Sequence, residues 1–300
     1  MTKKTNSEIK IFYSDNFSDY ELLDTGEGEK LERVGKYTFV RPYEDAVWLK
    51  TPSVLEWTNP DGKFWSSKEG AKAGWKMNST IPKKWEMSYK NIKFWVSPTP
   101  FRHFGFFPEQ ASHWDFIEKQ ISLGKTSGKS LKFLNLFGYT GVASLFALRA
   151  GAEVTHVDAS KQMLDWAKEN QKLSGLEKLP MRVIEDDALK FIEREIKRGN
   201  KYDAVIMDPP KFGRGPKGEV WKIEEKLAEL LSGVRKIISD KPLFVILTSY
   251  ATDSSSLALG SALSEMMKDF GGNVEQGELC VLEKSQNRLI SLANTAVWMA

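Results

Sequence analysis

Cysteine is nearly absent. Cys280 stands alone in 300 residues, which excludes an intramolecular disulfide and any cysteine-cluster metal site. Histidine is almost as sparse, and His103, His113 and His156 are too scattered to suggest a zinc site. No stretch approaches an apolar membrane span, and the opening "MTKKTNSEIKIFYSDNFSDY" lacks the apolar core of a signal peptide. Charge of one sign is missing too. The 43 basic residues against 40 acidic ones leave +3, which permits a nucleic-acid partner without demanding one. There is no phosphate loop of the G-x-x-x-x-G-K-[ST] kind, which argues against ATP or GTP. A cytoplasmic protein with no membrane and no metal partner is expected.

What is present has two textures. Seven of the ten tryptophans (48, 57, 65, 75, 85, 95 and 114) precede residue 120, among short apolar runs and turn signals such as "DTGEGEK" and "NPDGK". This reads as a small β-rich α+β domain, residues 1–100, mostly antiparallel, with one helix near "SSKEGAKAGW". The residues flanking the tryptophans do not match, so a repeat is rejected. Large rings are read chiefly as the core that a small domain needs.

Within residues 121–130, "ISLGKTSGKS", the pattern turns to strand–helix alternation. Five strands ("LKFLNLF", "EVTHVD", "MRVIED", "YDAVIMD", "PLFVILTSY") each precede a helical run, which predicts a parallel sheet with helices on both faces. "VEQGELCVLE" and "RLISLANTAVWMA", joined by "KSQN", add a terminal antiparallel hairpin.

The first of these strands runs into "NLFGYTG". Gly138 and Gly141 would let backbone approach a ligand, and Asp158, about 20 positions on at the end of the second strand, suits a ribose. Asp187 in "EDDA" and Asp208 in "MDPPKFG" close the third and fourth strands, so the carboxyl ends converge on one crevice. Asp158 and Asp187 also suit plain helix caps, and Phe212 an ordinary loop anchor. With two glycines instead of three, the turn suits S-adenosylmethionine (SAM), which has no pyrophosphate, better than a dinucleotide.

The stretches "FLNLFGYTGVASLFALRAGAEVTHVDAS", "EDDALKF" and "DPPKFGRG" resemble SAM-dependent methyltransferases related to the bacterial 23S ribosomal RNA cytosine-5 enzymes. "FRHFGFFPEQASHW" is similar to the family segment that packs over the cofactor, so the resemblance spans residues 101–300. It implies a Rossmann-like, seven-stranded class I methyltransferase sheet, parallel with a C-terminal antiparallel hairpin. The family's separate N-terminal RNA-binding domain is expected to be missing.

By the same resemblance, Phe107 and Gln110 touch the cofactor. Asn135, Phe137, Gly138, Tyr139, Thr140 and Gly141 form the turn under its methionine. Asp158 and Ala159 hold the ribose, Asp187 and Ala188 the adenine. Asp208, Pro209, Pro210 and Phe212 face the target base, with Asp208 also touching the cofactor. Ribosomal or another structured RNA is the implied partner, and the protein is expected to be a monomer or homodimer.

One departure bears on the chemistry. Cytosine-5 methylation uses a thiolate that attacks the ring, and in the family this cysteine follows the fifth strand. Here "LTSYATDSSS" places Thr248, Ser249 and Tyr250 there, which points to an amine or ring-nitrogen acceptor. A small-molecule or protein methyltransferase, or a cytosine-5 enzyme of unusual mechanism, are the alternatives. "KKW" (83–85) and "RGPKGEVWK" (214–222) mix basic and aromatic residues as an RNA-facing surface does.

Overall fold

The computed structural model describes residues 8–65, 73–125, 130–250 and 254–300. These form two compact units, one of residues 13–111 and 280–290 and the other of the rest. No helix among the described residues is long and apolar enough to cross a membrane.

Strand β1 (Ile9–Phe12) belongs to the larger unit. The smaller unit follows as β2 (Tyr20–Gly26), β3 (Glu29–Val34), β4 (Tyr37–Pro42), β5 (Gly62–Trp65) and β6 (Gly74–Met77), a five-stranded sheet in that order. A separate hairpin joins β7 (Trp85–Tyr89) to β8 (Ile92–Val96). Glu27 and Gly28 (φ 53° and 75°) join β2 to β3, and Lys90 and Asn91 (φ 46° and 65°) join β7 to β8. Such two-residue loops match the right-handed twist of their strands. All sheet pairs are antiparallel except β4–β5, which is parallel. Of the expected helix near residues 66–75, positions 66–72 lie outside the described residues. Gly74 and Trp75 belong to β6 instead, opposite Trp65 and Phe64. The tryptophans divide: Trp85 is buried and stacks on Phe39 (5.9 Å), whereas Trp65 is 44% exposed.

A buried ionic cluster in this unit was not legible in the sequence. Glu32 accepts from Arg41 Nε (2.6 Å) and from the Tyr20 hydroxyl (2.7 Å), and Lys30 lies 3.1 Å away. Burial pushes the Glu32 carboxyl up, but Arg41, Lys30 and these hydrogen bonds outweigh it and hold it down at about 2.

The larger unit continues with α1 (Ala111–Gly124) and then five strand–helix units. These are β9 (Lys132–Leu136) with α2 (Val142–Arg149), β10 (Glu153–Asp158) with α3 (Lys161–Leu173), and β11 (Met181–Glu185) with α4 (Ala188–Arg198). Strand β12 (Ala204–Met207) leads through a short hairpin, β13 (Phe212–Arg214) and β14 (Val220–Lys222), into α5 (Ile223–Ile237). Strand β15 (Phe244–Ser249) precedes α6 (Ser256–Met267), then β16 (Asn273–Leu282) and β17 (Leu289–Met299). The sheet order is β1-β16-β17-β15-β12-β9-β10-β11, with β17 antiparallel to β15 and the central pairs parallel.

Alternation divides the central strands between two cores. Leu134, Leu136, Val205, Met207, Val245 and Leu247 face α4, α5 and α6. Phe133, Ala204, Ile206, Phe244 and Ile246 face α1 and α2. Burial on both faces explains why these strands read as unbroken apolar runs. The eighth strand, β1, was not anticipated. It lies so close to β16 that a Cβ on Gly277 would fall 1.8 Å from the Lys10 carbonyl oxygen, so only glycine fits there.

All three histidines bind protons weakly. Burial pushes His113 down to about 3 and His156 to about 4, and burial with Arg41 and Arg102 nearby brings His103 to about 3. The unfolded chain protonates them near pH 6.5. Between about pH 4.5 and 6 the unfolded state therefore holds roughly two to three more protons, so stability falls on acidification by about 3–4 kcal/mol per pH unit. Denaturant unfolding at pH 7, 6 and 5 checks this. A stability independent of pH over that range would contradict histidines that stay neutral in the folded state.

Candidate active site

Beyond β9 the chain makes a strained turn. Phe137 (φ 58°), Tyr139 (φ 53°) and Gly141 (φ 84°) all lie in the left-handed region, costly for the two that carry side chains. The surrounding protein holds them there. Gly138 N–H donates to the Val157 carbonyl (2.9 Å), and Tyr139 N–H donates to Asp158 Oδ2 (2.8 Å). A Cβ on Gly138 would sit 2.3 Å from the His156 ring, and one on Gly141 would sit 2.9 Å from the Ala167 Cβ. Both glycines are thus demanded by the protein's own packing, whatever a ligand adds. Gly138→Ala is expected to destabilise the fold by roughly 1–3 kcal/mol, the range for overpacking a close-packed site. Denaturant titration measures it, and an unchanged midpoint would contradict the close approach of the histidine ring.

Behind the turn runs a buried polar chain. Asn135 Nδ2 donates to Ser144 Oγ (3.0 Å), which lies 2.9 Å from His156 Nδ1, and His156 Nε2 lies 3.2 Å from the Tyr139 carbonyl. A carbonyl only accepts, so Nε2 carries the proton and Nδ1 accepts from the Ser144 hydroxyl. Burial keeps this imidazole neutral. Thr140 is tied down as well, its carbonyl accepting from Asn170 Nδ2 (2.9 Å). Asn135, expected in the turn, is buried beneath it, and His156 and Ser144 are supports that sequence reasoning missed.

The three acidic residues stand at successive strand ends. Asp158 accepts from Tyr139 N–H through Oδ2 and from Ser160 N–H through Oδ1, each at 2.8 Å. It is not a helix cap, since Ser160 fills that role for α3, with Ala159 between them. Burial pushes the Asp158 carboxyl up, against these backbone hydrogen bonds. Asp187 does cap α4, its Oδ1 accepting from Leu189 and Lys190 N–H, both at 3.1 Å. Ala188 packs in the apolar core. Backbone hydrogen bonds from Asp186 to Asp158 (3.1 Å) and from Asp208 to Leu136 (3.4 Å) bring these ends to one edge of the sheet.

Asp208, Pro209 and Pro210 lead into the β13–β14 hairpin, in place of the ordinary loop that the sequence also suited. Trp221, buried on its inner face, donates through Nε1 to the Pro210 carbonyl (2.7 Å) and rests on the Phe137 ring (4.9 Å). One side chain thus touches both the glycine turn and the double proline. Phe212 is 55% exposed beside it.

Phe107 and Gln110 belong to the smaller unit, where Gln110 is buried in a short 3-10 turn. Thr248 and Ser249 are buried on β15, with Thr248 Oγ1 3.4 Å from Thr295 Oγ1. A cavity of about 530 Å³, lined by Lys132, Glu153, Thr155, Arg182 and Tyr202 among others, opens at the amino ends of the strands. It shares none of the residues above, and chemistry in open parallel sheets belongs at the carboxyl ends.

A parallel sheet in this order, its last strand reversed and acidic residues closing successive strands, is a Rossmann-like methyltransferase domain. A family model described as "Conserved hypothetical protein 95" matches residues 115–242. A SAM-dependent methyltransferase from Agrobacterium tumefaciens, known as a crystal structure, is 42% identical. That match covers 97% of this chain and 93% of the other, with a TM-score of 0.90. The chain belongs to the SAM-dependent methyltransferase family. Ribosomal RNA large subunit methyltransferase K of Neisseria meningitidis is 27% identical over 58% of this chain and 46% of its own length. The K/L enzyme of Shewanella frigidimarina is 36% identical over 41% of this chain and 17% of its own. This chain therefore spans less than half the length of these curated relatives.

The residues present fit SAM. Asp158 accepts backbone N–H bonds from Tyr139, Ser160 and Ala159, and its two oxygens keep acceptor capacity toward the hydroxyls of a ribose.

Proposed function

We propose that this protein transfers a methyl group from SAM to an amino or ring nitrogen of a base in ribosomal or another structured RNA. The observation that carries this reading is the Asp208–Pro210 loop, fastened by Trp221 to the same turn that leads to the ribose carboxylate. The names of the large-subunit relatives support an RNA acceptor.

Asp158 and Ala159 bind the ribose. Asp187 uses its second oxygen for the adenine amine, beside Ala188. The turn from Phe137 to Gly141, with Asn135 beneath it, carries the methionine. When bound, SAM supplies a sulfonium methyl group that is already electrophilic. The protein's task is then alignment. The Asp208 carboxylate and the Pro209 carbonyl accept hydrogen bonds from the acceptor's N–H groups and aim its lone pair.

A nitrogen acceptor needs no protein nucleophile, which suits a chain whose one cysteine, Cys280, is buried in β16. A hydroxyl such as that of Thr248 or Ser249 is a far weaker nucleophile than a thiolate at neutral pH. Purified protein given SAM labelled on its methyl group is expected to label ribosomal RNA from a strain lacking the gene, and not RNA from its parent. Label confined to protein or small molecules would overturn the reading.

A further inference from the structure

The β13–β14 hairpin has two unlike faces. Register pairs Phe212 with Lys222, Gly213 with Trp221 and Arg214 with Val220. Alternation then puts Gly213 and the buried Trp221 on the inner face, and Phe212, Arg214, Val220 and Lys222 together on the outer one. Phe212 is 55% exposed and Val220 48%. Lys211, Arg214 and Lys217 form no ion pair among the described residues, while Lys222 pairs with Glu225 (2.8 Å). The hairpin's only carboxylate, Glu219, is bonded to Lys190 and to Lys217 N–H, so it does little to offset the outer face. The result is a small cationic surface with an open aromatic ring, pinned by Trp221 to the acceptor loop. A solvated loop would need neither the ring nor the pin.

We propose that this outer face binds single-stranded RNA next to the target base, Arg214 and Lys217 taking phosphates and Phe212 taking a base on its ring. Chemistry selects the partner. Phosphates complement the three unpaired cations, and an unstacked base complements an exposed ring, whereas the bases of an intact duplex are already stacked. Trp221 is a positioning residue that sets this surface at a fixed offset from Asp208. The inference rests on the RNA reading and adds to it the strand form and the surface that holds it.

The test uses the whole chain saturated with S-adenosylhomocysteine and a fluorescent mixed-sequence RNA strand of about 12 nucleotides, titrated over a range of salt. For the double variant Arg214→Gln, Lys217→Gln, about tenfold weaker binding at low salt is expected, with a salt slope flatter by roughly 1.4, that is about 0.7 for each phosphate deprived of its cation. Phe212→Ala should weaken binding at every salt concentration and leave the slope alone, because stacking releases no counterions. Both variants should bind S-adenosylhomocysteine as the parent does, which shows that they are folded.

Parental affinity and slope in the double variant would overturn the proposal while leaving RNA methylation intact. Equal competition by polyglutamate, or equal binding of a duplex, would also overturn it. A parent protein that binds S-adenosylhomocysteine but no RNA would instead remove the RNA reading itself.

Discussion

Asp158→Ala is expected to weaken binding of S-adenosylhomocysteine by at least about 100-fold. Two hydroxyl-to-carboxylate hydrogen bonds at roughly 1.5–3 kcal/mol each account for about that loss or more. The substitution also frees the Tyr139 N–H, one of the bonds that hold the strained turn in place. The apo protein should suffer much less. Burial raises the pKa of Asp158 in the folded state, so its ionised form subtracts from stability at neutral pH and does so less as pH falls. Binding has the opposite sign: hydroxyls that donate to the carboxylate favour its charged form, so ligand binding expels a proton and weakens as pH drops toward that raised pKa. Calorimetry at pH 8, 7 and 6, with thermal melts of parent and variant, separates the two. A melting temperature that collapses along with the affinity would make Asp158 a structural residue only.

Asp208→Asn tests the other half of the site. Its carboxylate is assigned to the acceptor, so kcat should fall by about 100- to 1,000-fold, the scale on which removing an aligning or electrostatic group acts. The Kd for S-adenosylhomocysteine should stay within about threefold of the parent, since the variant keeps the shape of the loop and the Trp221 bond to Pro210. Single-turnover methyl transfer and calorimetry on one preparation read both quantities. Equal losses in both would place Asp208 in the cofactor site and remove its acceptor role.

How far the sequence carried these conclusions differs by element. The runs KFLNL, AVIM and FVILTS were legible because central parallel strands are buried on both faces and must be apolar throughout. Strand β1 was not, because four residues at a sheet edge, two of them half-exposed isoleucines, carry no pattern of their own. The β13–β14 hairpin hid in "FGRGPKGEVWK", whose glycines, proline and charges read as a loop; the pairing that makes it a hairpin exists only in three dimensions.

Within the site, the glycines were visible but the reason for Gly138 was not. It is the ring of a histidine 18 positions away. Asn135 in "FLNLF" and His156 in "VTHVD" did carry a signal, each a polar residue inside an apolar strand, where burial demands a partner. What no single sequence supplies is that Ser144, on the following helix, joins them. The two bland readings of aspartates as caps also divided, because Asp187 caps α4 and Asp158 caps nothing.

The central claim is methyl transfer to a base nitrogen of structured RNA, and one measurement bears on it most directly. Ribosomal RNA from a strain lacking the gene, digested to nucleosides and compared with its parent by mass spectrometry, should have lost one nitrogen-methylated nucleoside, and the gene carrying Asp208→Asn should not restore it. An unchanged nucleoside profile, or the loss of 5-methylcytidine in its place, would contradict the claim.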